Sequence, residues 1–356
     1  MTRVPIRVGL IGVQPEIGWA ATAHVPALKL LPEYELTAVS HHSLGTSQAA
    51  AAKFGVANAF HTTAELVNHP DIDLVVIAVK VTRHRELVEA VVNAGKAVLS
   101  EWPLAVSLQD AIRMHDRARA TGVHAAVGLQ TRAAPVFNFV RDLVSDGYLG
   151  RVTSSTLTGS GILWGDEIPH TYEYTLDPAN GASMINVPLA HSIDAVLYAL
   201  DSRFEDMTAK TACVRPTVRI IETGAEVPLR VPDQVAVAGR LSNGSFLSVH
   251  FRGGLTRGTN FRWEINGSNG DLVVTTPVGY VGEGGFRVQG ARGAEVLRDL
   301  VIPPMYAGGL PEGITQSVAL AYRRLASDLR EGTHLAPTFD DAVELQRLID
   351  EIRRAG

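Results

Sequence analysis

Ile6-Arg7-Val8-Gly9-Leu10-Ile11-Gly12-Val13-Gln14-Pro15-Glu16-Ile17-Gly18-Trp19 decides the fold class. Its first six residues are mostly apolar and β-branched and stop at a glycine. That is how a buried strand feeding a turn reads. A helix is predicted next, over 19–30. Further on, Leu74-Val75-Val76-Ile77-Ala78-Val79 is an unbroken apolar run, the signature of a parallel strand covered on both faces. Strands are also predicted at 36–39, 97–99 and 124–128. Helices are predicted at 48–54, 64–68, 85–93 and 108–120, three of them stopped at Gly55, Gly95 and Gly122. Strand and helix alternate throughout, so this part of the chain is α/β with a doubly wound parallel sheet.

After a helix at 135–145 the rhythm changes. Alternating strands are predicted at 152–159, 207–214, 235–241, 246–252, 262–266, 271–275 and 286–289. Ser242-Asn243-Gly244 and Asn269-Gly270 mark turns between them. One helix, 190–200, interrupts the strands, and helices at 315–330 and 340–354 close the chain. This half is an α+β domain with a large open, mostly antiparallel sheet. The expected domains are 1–125 and 126–356. An open sheet face of apolar character invites a second subunit, so a homodimer or homotetramer through the C-terminal sheet is expected.

At 356 residues and 46% hydrophobic, the chain can bury two cores. A net charge of −5, with no Lys/Arg-rich run, argues against nucleic acid as a partner. The single cysteine, Cys213, allows no intramolecular disulfide and suggests no cysteine-based metal site, so no metal is expected. No stretch approaches the ~20 apolar residues of a membrane span, and the first strand starts too early to leave room for a signal peptide. A cytoplasmic protein without a membrane partner is the expectation.

The turn after the first strand carries the first chemistry. Amides at the mouth of a helix, with the helix dipole behind them, hold a diphosphate. The usual spacing is G-x-G-x-x-G. Here the turn runs from Gly12 through Gln14 and Ile17 to Gly18 and Trp19, one residue longer, with Gln14 at the middle glycine. Alone the motif is compatible with an ordinary βα turn, but its place in an alternating βα half favours a dinucleotide site. The second strand ends in Ser40-His41-His42 with no acid. An acid there would repel a 2′-phosphate, so NADP is favoured and NAD possible; two solvated histidines are the alternative. The strand end and turn of Val79, Lys80, Val81 and His84 should line the crevice. Lys80 either reaches toward the nicotinamide side or a phosphate, or snorkels to the surface.

These pieces together resemble the Gfo/Idh/MocA oxidoreductase family. The matching stretches are 8–18, 77–84, 94–98, 101–104, 128–135, 147–152, 191–194 and 265–273, spread over essentially the whole chain. The resemblance implies an N-terminal Rossmann domain, a C-terminal sheet domain used for oligomerisation and a site in the cleft between them. It adds Glu101, Trp102 and Gln130 to the cofactor set. In detail the chain is similar to the fungal galactose-pathway co-repressor subgroup. Residues 12–20, Glu101-Trp102, Leu129-Gln130, Gly147-Tyr148-Leu149-Gly150 and the loop 161–165 carry that likeness. It implies a protein that binds the dinucleotide and regulates through protein contacts.

The family's proton-transfer set is eroded. Where the family has Glu-Lys-Pro, this chain reads Glu101-Trp102-Pro103. Where it has D-x-x-x-H, the chain reads Val187 and His191. His191 stays, with Asp194 three residues on and so on the same helix face. His191 is the expected acid/base, with Tyr174 and Lys80 as further catalytic candidates. Trp102, Trp164, Tyr172, Tyr174, His191 and Asp194 are the expected substrate contacts; packing is the alternative for the aromatic ones. Reduction of a ketone or of an activated C=N or C=C bond suits this set better than alcohol oxidation, which needs a base. The expected function is NAD(P)-dependent hydride transfer to or from a small polar cyclic metabolite. The alternatives are a non-catalytic dinucleotide-binding regulator and a homologue that binds no cofactor.

Overall fold

The computed structural model describes residues 4–282 and 285–355. They form two compact units, one of 4–133 and 310–346, the other of 134–309 and 347–355.

The first unit is built on β1 (Ile6–Ile11), β2 (Tyr34–Ser40), β3 (Asn58–Phe60), β4 (Leu74–Ile77), β5 (Ala97–Glu101) and β6 (Ala125–Gly128). All pairs are parallel and the order is β3-β2-β1-β4-β5-β6. The strand order reverses between β1 and β4, and ligands of such sheets bind beyond the strand carboxyl ends at that point. Every residue of β4 is buried, as its unbroken apolar run requires. The connecting helices are α1 (Val25–Lys29), α2 (Leu44–Phe54), α3 (Thr63–Val67), α4 (His84–Asn93) and α5 (Leu108–Thr121). A five-residue wide turn of i→i+5 type, Ala20–His24, leads directly into α1. α2 begins four residues before its predicted start because Ser43 caps it, accepting from the Thr46 amide. Thr62 and Glu65 form a reciprocal capping box on α3.

The second unit contains α6 (Pro135–Ser145), β7 (Val152–Gly161), β8 (Glu167–Ile168), α7 (Ala190–Ala199), β9 (Phe204–Ala212), β10 (Thr217–Ile220), β11 (Glu226–Pro228) and β12 (Gln234–Leu241). It continues with β13 (Phe246–Gly253), β14 (Phe261–Gly267), β15 (Gly270–Thr276), β16 (Arg287–Arg292) and β17 (Arg298–Leu300). Eight strands form one sheet, ordered β17-β16-β15-β14-β7-β13-β12-β9. Among its pairs β7 and β13 are parallel and the others antiparallel. A small sheet, β11-β10-β8, was not expected; strands of two to four residues leave no readable periodicity.

Burial along the large sheet alternates, so one face is core. There Phe137 of α6 stacks on Trp263, ring centroids 5.9 Å apart, and the Trp263 indole N–H donates to Ser155 Oγ (2.8 Å). The opposite face is small and polar rather than apolar. Across it run the rows Thr208–Ala238–Ser248–Thr156–Glu264 and Lys210–Ala236–His250–Thr158–Arg262, all exposed or half-buried.

α8 (Ile314–Glu331) returns to the first unit, while α9 (Phe339–Arg354) supplies residues to both. Val318, Ala319, Tyr322, Leu325 and Ala326 of α8 join a core with Val8, Leu10, Ala23 and Leu28. The following segment reaches the β6 edge, where the Val127 amide donates to Pro337 O (2.9 Å).

Candidate functional site

β1 delivers Gly12 to the switch point with φ +99°, and the Gly12 amide donates to Ser40 O (2.8 Å). A Cβ on Gly12 would fall 2.4 Å from Ala78 O, so the strand ends fit only without a side chain. The loop then runs through half-buried Gln14 and exposed Ile17 to Gly18 (φ +94°), and helix begins at Trp19. Gly18 O accepts from the amides of Ala21 and Thr22. The first amides of a helix have no partner within it, and here the loop leads straight to them. A glycine turn that leaves the space at Gly18 open and leads straight to a helix mouth fits a dinucleotide diphosphate.

At the end of β2, Ser40 is buried, and its carbonyl is taken by Gly12. His41 and His42 lie ring against ring, centroids 4.0 Å apart. The Ser43 amide donates to His41 Nδ1 (3.2 Å), so the neutral ring carries its hydrogen on Nε2. Burial, and next the neighbouring His42, push the His41 imidazole below its ordinary value.

Beyond β4, Val79 packs beside Gly12, Lys80 is exposed and Val81 is buried. His84 is buried and both its ring nitrogens meet backbone carbonyls: Nε2 lies 3.0 Å from Val79 O and Nδ1 3.3 Å from Leu104 O. Burial holds its pKa below the ordinary value. Its place is inside the crevice wall, tying the strand end of β4 to the chain after β5. Glu101 ends β5, and a Cβ on Gly128 would fall 2.3 Å from its Oε1. Trp102 is 5% exposed and Gln130 is half-buried.

In the second unit, His191 and Asp194 are 6% and 4% exposed on α7, among Ala190, Ile193, Ala195 and Val196, which are fully enclosed. A second wide turn, Ile185–Leu189 with Pro188 inside it, leads into this helix. Trp164 is buried with φ +61°, and its indole N–H donates to Thr175 O (3.3 Å). Tyr172 is exposed, while burial raises the Tyr174 phenol above its ordinary value.

Sequence reasoning missed His24 and Tyr322. His24 Nδ1 lies 2.8 Å from the Tyr322 hydroxyl, and His24 Nε2 lies 3.2 Å from Glu101 Oε1. A lone polar residue on the apolar stripe that leads into α1 was the available sign. Among the described residues, no group of three or more His, Cys, Asp or Glu is placed to hold a metal, and no helix is long and apolar enough to cross a membrane.

A parallel sheet with its switch point beside a glycine turn, joined in one chain to an eight-stranded sheet domain, defines a protein with a Rossmann-type unit and a second, sheet-based unit. Residues 6–129 match the family described as "Oxidoreductase family, NAD-binding Rossmann fold", and 135–276 match "Gal80p, C-terminal domain". The chain belongs to the Gfo/Idh/MocA family and carries a Gal80p-like C-terminal domain. It is 31% identical to the galactose/lactose metabolism regulatory protein GAL80 of Saccharomyces cerevisiae, over 78% of this chain and 68% of that protein. It is 30% identical to the dehydrogenase aclE of Aspergillus oryzae, over 76% and 77%. To the 1,5-anhydro-D-fructose reductase of Ensifer adhaerens it is 27% identical, over 67% and 68%. The crystal structure of a super-repressor mutant of Gal80p from Saccharomyces cerevisiae superposes with a TM-score of 0.91 at 26% identity, covering 99% of this chain and 96% of that one.

Proposed function

We propose that this chain is an NAD(P)-dependent oxidoreductase that moves a hydride to or from a small polar cyclic metabolite, with NADP preferred and NAD accepted. The metabolite carries a sugar-like carbonyl or alcohol, or an activated C=N or C=C bond. The observation that carries the reading is the pair His191 and Asp194, buried three positions apart on α7. Two ionisable side chains three positions apart on one helix share a face, and a histidine with a neighbouring carboxylate is an arrangement that proton exchange uses. The sugar reductase among the relatives supports the substrate class.

When bound, the nicotinamide supplies or accepts the hydride. In this reading the loop Gly12, Gln14, Ile17, Gly18 and Trp19 holds the diphosphate. Ser40, His41 and His42 take the ribose or its 2′-phosphate. Val79, Lys80, Val81, Glu101, Trp102 and Gln130 receive the rest, with His84 bracing the wall. His191 exchanges the proton. Tyr174, whose phenol burial holds above its ordinary value, is the further proton-donor candidate for reduction. Lys80 is the remaining candidate for the lost lysine. Trp102, Trp164, Tyr172 and Asp194 are the further substrate contacts of this reading.

A second reading is a regulator that binds dinucleotide and acts by protein contact. The Gal80p-like C-terminal domain favours it, as do Trp102 and Val187 at the eroded positions. Fluorescence titration with NADPH and NADH, then a panel of ketones, imines and cyclic alcohols followed at the reduced-cofactor absorbance, separates the two. Turnover is expected on reducible substrates. Binding without turnover across the panel selects the regulator, and no binding removes both. Trp102→Lys is expected to raise cyclic-alcohol oxidation toward the ~10²–10⁴-fold of a placed acid/base group. An unchanged rate would mean that position 102 lies away from the reacting carbon.

A further inference from the structure

Behind Glu101 lies a chain of enclosed polar groups that the scheme above leaves unused. His24, the last residue of the wide turn before α1, is 1% exposed. Its Nδ1 lies 2.8 Å from the hydroxyl of Tyr322, an α8 residue 298 positions away. Its Nε2 approaches Glu101 Oε1 at 3.2 Å along a bent line. Tyr322 is itself fixed. The Tyr34 hydroxyl donates to Tyr322 O (2.7 Å), and the two rings meet edge to face at 5.1 Å. Beside the three groups is a cavity of about 20 Å³ bordered by His24, Glu101, Gly128, Gln130 and Tyr322, room for a single water. Gln130 Oε1 is buried there without a partner.

The hydrogens have one consistent order. Burial raises the Tyr322 phenol well above its ordinary range, so it keeps its proton and must donate it. His24 Nδ1 is the acceptor at hydrogen-bond distance. A neutral imidazole that accepts at Nδ1 carries its hydrogen on Nε2, the nitrogen nearest the Glu101 carboxylate. Gly128, with no side chain, leaves the carboxylate the space it occupies. His24 Nε2 has no hydrogen-bond partner of good geometry here, so a small turn of the Glu101 carboxylate completes the contact.

We propose that His24 and Tyr322 are positioning residues for Glu101: Tyr322 fixes the Nε2–H form of His24, and His24 holds the carboxylate at the end of β5 for hydroxyl groups of the bound dinucleotide. The proposal rests on the reading that Glu101 contacts the dinucleotide, and adds the device that aims it. It also gives α8 a role in cofactor affinity, although α8 follows the whole sheet domain in sequence. A carboxylate whose rotamer is set by enclosed partners binds with less ordering cost than one free to rotate.

The test uses the full chain with Tyr322→Phe, His24→Gln, His24→Ala and Glu101→Gln, each checked by thermal melting. Long-range ¹⁵N–¹H NMR of the imidazoles should show His24 as the Nε2–H form in the unaltered protein, and that preference should fade in Tyr322→Phe. Tyr322→Phe and Glu101→Gln should each weaken NADPH and NADH binding by roughly tenfold, the scale of one hydrogen bond to a charged group. His24→Gln can still donate to the carboxylate and should retain more affinity than His24→Ala. An Nδ1–H form of His24 overturns the proposal whatever the cofactor does. So does unchanged affinity in a folded Tyr322→Phe protein while Glu101→Gln is impaired, an outcome that leaves the Glu101 contact standing. Unaltered binding by Glu101→Gln removes that contact and the proposal with it.

Discussion

At the scale of single residues, Gly12 and Gly18 separate two costs that a glycine loop combines. Both have positive φ, but a Cβ at Gly12 collides with Ala78 O whereas at Gly18 it meets nothing within 4 Å. Gly18→Ala should therefore cost only the left-handed backbone, about 1 kcal/mol. Gly12→Ala should cost at least ~1–3 kcal/mol and displace the strand ends from the crevice. Calorimetric melting with NADPH titration checks this, and equal behaviour of the two variants would remove the steric argument. His41 carries a pH dependence. Burial first, then His42, lowers its folded pKa below the ordinary 6.5, so its contribution to stability is complete above that value and is lost as pH falls through the lower folded one. Enclosed His84 shifts the same way, so melting temperature should fall on acidification below about pH 6.5. A 2′-phosphate acts in the opposite sense, because its negative charge draws protons onto the paired rings. NADPH affinity should therefore rise relative to NADH as pH falls, and His41→Asn with His42→Asn should flatten the ratio. A ratio that does not move with pH in the unaltered protein would place the 2′-phosphate elsewhere.

At the scale of elements, α8 depends on how it ends. The buried Asp328 carboxylate accepts from Thr333 Oγ1 (2.7 Å) and from the amides of Leu335 and Ala336 (both 2.8 Å). Those bonds turn the chain toward β6, where Pro337 O accepts from Val127. Asp328→Asn keeps the volume but replaces one acceptor oxygen with a donor, leaving at least one of these donors unmet at about 1–3 kcal/mol. Faster hydrogen exchange at 335–338, with a lower melting temperature, is the expected result. Exchange equal to that of the unaltered protein would show that other contacts hold the segment. How much was legible follows the same physics. β4 was readable because both its faces are covered, and α4 because its period matches a helix with one buried side. β8 and β10 were not readable, since a few residues of mixed polarity carry no period. Val318, Tyr322 and Leu325 could be placed on one face of α8, but nothing local says that β1 and α1 residues cover that face. The glycine turn after β1 was legible from motif and spacing. The His24–Tyr322 pair was not, because its partners meet only in three dimensions. Nor could a sequence show that wide turns lead into both α1 and α7, close to the loop and to His191; such turns are uncommon and recur near functional sites.

For the whole molecule, the open face of the eight-stranded sheet is where a second copy would pack, with small and polar side chains instead of the apolar ones expected. Its two central rows carry Thr, Ser and Ala at five of ten positions besides Thr208, with Lys210, His250, Arg262 and Glu264 as the others. Such a surface is flat, and short side chains lose little conformational freedom when covered. Opposite charges at Glu264 and Arg262 lie on neighbouring rows of β14, and Ser248 Oγ donates across to Thr156 Oγ1 (3.3 Å). A two-fold pairing of this face with itself would set the same patch of each copy against the other, as closed symmetry requires. The expected assembly is a homodimer or homotetramer through this sheet. Ala238 lies on β12, beside the edge strand β9, half-buried between Thr208 and Ser248. Ala238→Arg places a long charged side chain there, facing its own copy across the axis, where like charges oppose association. The variant should sediment as a monomer with unchanged circular dichroism, while Arg113→Ala on exposed α5 should leave the assembly intact. A chain already monomeric at micromolar concentration, or an assembly untouched by Ala238→Arg, would show that this face meets solvent or a different protein, and a different protein there would strengthen the regulator reading over the enzyme.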